Sequence, residues 1–122
     1  MSDQMTTQRG IEGKISLLEK CRGQLQSRAE ERARAISDYD KALAVTMLKM
    51  SNGQVMELDG NKIENPKTTV IEKLAKGYCW KERLEMEKAE SMYKSLITAI
   101  NCVQAELNGL QSVNRTASQM MN

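Results

Sequence analysis

The stretch NPKTTVIEKLAKGYCWK, residues 65–81, gathers the side chains best suited to hold an anion. Backbone N–H groups at a helix N-terminus, the hydroxyls of Thr68 and Thr69, and the ammonium groups of Lys67, Lys73 and Lys76 are the groups that grip a phosphate. Tyr78 and Trp80 add flat faces on which a base can stack, and Lys81 and Arg83 extend the positive charge. Such a surface suits a nucleotide or a nucleic acid. No glycine-rich phosphate loop stands beside it, and an architectural reading competes. In that reading Trp80 seals the junction between a short and a long helix, and the lysines solvate the outside.

Other reactive residues point to ordinary structure. Glu30, Glu31, Asp38 and Asp40 are interleaved with Arg28, Arg32 and Arg34, a pattern of helical ion pairs rather than an acid–base dyad. Cys79 could be an activated thiol at a helix start, but no histidine exists to serve as its base, and an inert thiol is the simpler reading. The missing histidine also excludes hydrolysis by a histidine base and zinc sites of the Cys/His kind. Cys21, Cys79 and Cys102 are widely spaced and form no CxxC pair, which suits a reducing cytoplasm. Neither a catalytic set nor a metal or cofactor site is expected. Met47, Met50, Met56 and Met86 are expected near one another, as gap filling or an adaptable binding surface.

The elements that must position these residues are helical. The chain has 122 residues, no phenylalanine, nine methionines and a net charge of +2. That balance does not mark a dedicated nucleic-acid binder, although a local basic patch remains open. Residues 1–10 lack the apolar core of a signal peptide and are expected to be flexible. From Ile11 to Met50 a seam runs through Ile11, Ile15, Leu18, Arg22, Leu25, Ala29, Arg32, Ile36, Tyr39, Leu43, Met47 and Met50 in alternating steps of three and four. It predicts a long helix over 11–50. The arginines either snorkel past the seam or line a partner surface.

Asn52-Gly53 ends that helix, and Asp59-Gly60 marks a two-residue β-turn, so residues 51–65 should form a small β-hairpin. Pro66 biases Asn65 towards extended geometry. Thr69 with Glu72 reads as a capping box, Gly77 as a C-cap, and residues 66–77 as a short connecting helix. A second seam, Met86, Ala89, Tyr93, Leu96, Ile100, Val103, Leu107 and Leu110, predicts a long helix over 79–113, followed by a disordered tail at 114–122.

The expected fold is therefore mainly α: two long antiparallel helices in a coiled-coil-like hairpin, joined by a β-hairpin and a short helix. Leu17, Val45, Leu48, Leu84, Met92 and Ile97 lie beside the seams and would be left without cover. At about 1.5–3 kcal/mol for each such side chain buried, they favour a homo-oligomer, a dimer or higher, built as a helical bundle. No run approaches the roughly 20 apolar residues that span a bilayer.

The segments YDKALAVTMLKMSNG, NPKTTVIEKLAKG and KAESMYKSLITAINCVQAELNGLQSVNR together resemble a family of short helical proteins encoded by phages and prophages, mainly of Gram-positive bacteria. The resemblance covers about residues 35–115, and its most specific element is the joint TTVIEKLAKG between the long helices. Shorter members lack the β-hairpin. The resemblance implies a cytoplasmic phage accessory protein and little chemistry. Two functions follow as expectations. One is a counter-defence factor that sequesters an anionic nucleotide signal or blocks a host defence component. The other is an accessory of phage recombination or replication that contacts DNA or a recombination protein.

Overall fold

The computed structural model describes residues 2–121, with side chains from Met5 to Met120. The protein is mainly α. Helix α1 spans Ser2–Ser51, strands β1 and β2 span Met56–Leu58 and Asn61–Ile63, helix α2 spans Thr68–Tyr78, and helix α3 spans Trp80–Met121. Among the described residues no helix is long and apolar enough to cross a membrane. The chain divides into two units, Met1–Ala29 with Met92–Asn122, and Glu30–Ser91. In the first unit the core joins α1 and α3, and in the second it joins α1 to the hairpin and the short helix α2.

The first unit is a pairing of two helices. Ile11 and Leu18 of α1 and Val103 and Leu107 of α3 are its buried residues, with Ile100 and Leu110 packed against them. Lys14 is ion-paired with Glu106, Arg22 Nη2 donates to Gln104 Oε1 at 3.3 Å, and Arg28 Nη1 contacts Met92 Sδ at 3.9 Å. The α1 number rises as the α3 number falls, so the helices run antiparallel. Arg22, an interruption of the predicted seam, thus reaches across it to a polar partner. Seam position Ile15 departs from expectation, being 39% exposed.

Both ends are more helical than the sequence suggested. Residues 2–10, expected to be flexible, belong to α1, and residues 114–121, expected to be disordered, continue α3. Gly10 accounts for part of this. A Cβ built there would sit 3.3 Å from Leu110 Cδ1, so the glycine admits a close approach of α3 instead of starting a fray. In the tail, Thr116 Oγ1 donates to Ser112 O at 3.0 Å, a back-bond that lets a hydroxyl sit inside a helix.

The second unit carries the insertions. Gly53 N bonds Met50 O at 3.2 Å and Gln54 N bonds Lys49 O at 3.0 Å, with Gly53 at φ +79. This is a Schellman ending of α1, which requires the left-handed backbone that glycine adopts without penalty. The hairpin pairs Met56 with Ile63, Glu57 with Lys62 and Leu58 with Asn61. Asp59 and Gly60 both have positive φ, as a type I′ turn demands. Met56 and Ile63 face inwards with Met50, Ile71 and Ala75, and Leu43, Met47, Leu58 and Leu74 flank that core. The hairpin therefore packs on its own chain. Met50 and Met56 are core residues, not parts of an adaptable surface.

Three local expectations are corrected here. Asn65 takes φ +42 rather than extended backbone, a left-handed geometry that asparagine tolerates better than most residues. Helix α2 begins at Thr68 after N-cap Lys67 and has no side-chain cap, so Thr69 and Glu72 form no capping box. Gly77 lies within α2 rather than capping it. A Cβ on Gly77 would meet Leu58 Cδ2 at 3.6 Å, so its role is packing against the hairpin. Beside the seam residue Met47, which packs against the core, Thr46 is also buried on α1.

Candidate functional site

Helix α2 is amphipathic, and its geometry separates two kinds of residue. Ile71 and Ala75, one turn apart, face the core, while Lys73 and Lys76 lie outside. Cys79 ends α2 with its N–H bonded to Ala75 O at 2.9 Å, and its carbonyl accepts from Arg83 N at 3.1 Å to open α3. The junction is thus continuous in hydrogen bonding although the helix is broken. It is sealed by Cys79, 2% exposed, and not by Trp80, which is 51% exposed.

Across this junction runs an open groove of about 470 Å³. From α2 it is lined by Lys73, Lys76 and Gly77, and from α3 by Trp80, Arg83, Leu84 and Glu87. These positions recur in steps of three and four, so one outward face of α2 carries on as one outward face of α3. Leu84, 47% exposed, shares the groove with the indole. Lys81 Nζ sits 5.6 Å from the centre of the Trp80 ring, a cation–π contact. Lys76 Nζ lies 3.1 Å from Glu72 Oε1, and Arg83 Nε lies 3.2 Å from Glu87 Oε1. Three cations and one carboxylate therefore line the groove.

A second cavity of about 220 Å³ lies at the other end of α2, lined by Met50, Ser51 and Gly53 on one side and Asn65, Pro66, Thr68 and Ile71 on the other. An eleven-residue helix is roughly 16 Å long, and the residues of the expected anion surface are distributed along it. Lys73, Lys76, Trp80 and Arg83 meet in the groove, and Lys81 lies over the indole without lining the groove. Thr68 belongs to the other cavity. Lys67, Thr69 and Tyr78 line neither.

Sequence reasoning did not place Gly77, Leu84 and Glu87 in the site. Their signal was the spacing 73, 76–77, 80, 83–84, 87, which is visible only if the helical phase is carried across Cys79. Of the residues expected at an oligomer interface, Leu17, Val45, Leu48, Leu84 and Met92 are exposed and Ile97 is half-buried. Leu17 and Val45 share a heptad position, with Gln24, Glu31 and Asp38 between them, so this stripe is apolar only towards its ends. Among the described residues no three Cys, Asp or Glu side chains converge to hold a metal ion. No protein-family model, curated protein or solved structure matches the chain.

Proposed function

We propose that the protein acts by binding rather than catalysis. It docks a macromolecular partner through the Trp80 groove, and it serves a phage or prophage as a counter-defence factor that blocks a host defence protein. The observation that carries the docking reading is the exposure of Trp80 and Leu84 side by side in a groove walled by Lys73, Lys76 and Arg83. A large aromatic beside cations is the composition of an energetic anchor at protein interfaces. The phage assignment rests on the resemblance carried by residues 39–53, 65–77 and 88–115.

Blocking is favoured over sequestering a nucleotide because the groove is open and the hydroxyls of Thr68 and Thr69 lie outside its lining. Self-association belongs to the same reading, with Val45 and Leu48 offering apolar surface on α1.

The test is phage plating on host strains that carry or lack individual defence systems, with the chain expressed in each. Protection of the phage in one defence-bearing strain, lost on Trp80→Ala with Leu84→Ala, is the expected result. Protection that survives both substitutions overturns the docking reading. A lack of protection in every defence-bearing strain overturns the counter-defence reading.

A further inference from the structure

Resting on the reading of the Trp80 groove as a docking surface, we infer that its occupant is an acidic protein segment with a bulky apolar anchor. The anchor sits against Trp80 and Leu84, and the flanking carboxylates meet Lys73, Lys76 and Arg83.

Charge complementarity carries the assignment. The lining holds three cations against the single carboxylate of Glu87. Lys76 and Arg83 are held by the intrahelical partners Glu72 and Glu87, and all four side chains are about half exposed or more. Exposed pairs of this kind are worth little, so an incoming carboxylate can replace either partner with small loss. Between the cations the surface is apolar: the bare backbone of Gly77, the indole of Trp80 and the side chain of Leu84. This part calls for an apolar side chain, which a sugar–phosphate chain does not offer.

One feature disfavours nucleic acid: Trp80 is the only aromatic residue in the lining, whereas single-strand binders provide successive stacking platforms.

Trp80 is the only tryptophan in the chain, so its emission reports on the groove directly. The experiment selects a display library of random peptides, each about a dozen residues long, on the immobilised full chain and counter-selects on Trp80→Ala. Survivors are synthesised and titrated while Trp80 emission is followed. The expected survivors are rich in Asp and Glu around one large apolar residue, and they shift the emission saturably. Replacing their carboxylates with amides should weaken binding by about tenfold or more, as should Lys73→Glu with Lys76→Glu in the protein, with helix content unchanged by circular dichroism.

Survivors that are neutral or basic, or that bind equally well as amides, overturn the inference. So does an oligo-dT strand that shifts the emission where acidic peptides do not. If acidic peptides fail while Trp80→Ala still abolishes protection in plating, the acidic chemistry falls and the docking surface stands. If Trp80→Ala leaves protection intact, the docking surface falls as well.

Discussion

Thr46 Oγ1 lies 3.2 Å from Cys79 Sγ, and both residues are buried. The contact ties the turn between α2 and α3 to α1, and it places the thiol beyond the reach of reagents unless that turn opens. Cys102 is exposed and Cys21 is half-buried. Native alkylation followed by intact mass and peptide mapping should therefore modify Cys102 first and Cys79 last. Modification of Cys79 should rise with urea as the fold opens. Equal rates for Cys79 and Cys102 in native buffer would show that the turn opens without unfolding.

Neighbouring residues in α2 should differ sharply in their contribution to stability. Ile71 is 7% exposed within the hairpin core, whereas Val70 is 40% exposed. Ile71→Ala should cost about 2–4 kcal/mol, since it removes buried carbon and leaves a cavity. Val70→Ala should change stability by no more than about 0.5 kcal/mol. Urea denaturation of the two variants makes the comparison, and similar midpoints would contradict the packing of α2 against the hairpin.

Two glycines should respond to alanine in opposite directions. Gly60 has φ +77 with open space around it, so Gly60→Ala pays only the left-handed backbone penalty, about 1–2 kcal/mol. Gly13 sits inside α1, and a Cβ there meets nothing within 4 Å. Gly13→Ala should stabilise by up to about 1 kcal/mol through helix propensity alone. Thermal melts of the two variants should bracket the parent protein.

Leu48 is 64% exposed on α1, so a charge there disturbs little within one chain. If copies pair through this face, light scattering should find the parent protein heavier than one chain and Leu48→Glu closer to it, with the circular dichroism spectrum unchanged. An unaltered mass for Leu48→Glu would remove this face as the contact between copies.

The long helices were legible because their apolar spacing is regular over many turns, and the hairpin because Asp59-Gly60 admits few other backbones. What escaped was set by tertiary contact. Thr46 is polar, and the partner that its burial requires, Cys79, lies 33 residues away in the chain. Gly77 reads as a cap, because a single glycine looks the same whether it ends a helix or makes room for Leu58. Pro66 biases Asn65 towards extended backbone, but Asn65 takes a left-handed φ of +42 instead. The candidate site was legible in part. Residue type picked out Lys73, Lys76, Trp80 and Arg83, while the apolar half contributed by Leu84 was assigned elsewhere because the helical phase was not carried past Cys79.

The tip of the hairpin offers a practical opening. Asp59 and Gly60 are exposed, and the ribbon is held by Met56 and Ile63, the pair farthest from the turn, with Leu58 packed beside Gly77. Exposed tips with anchored stems are where chains accept foreign sequence. An epitope, a fluorophore site or a short affinity tag inserted between Asp59 and Gly60 should leave the anchoring pair in place. The same tip could tether the protein to a surface, with the Trp80 groove on α2 and α3 left unmodified for whatever it captures.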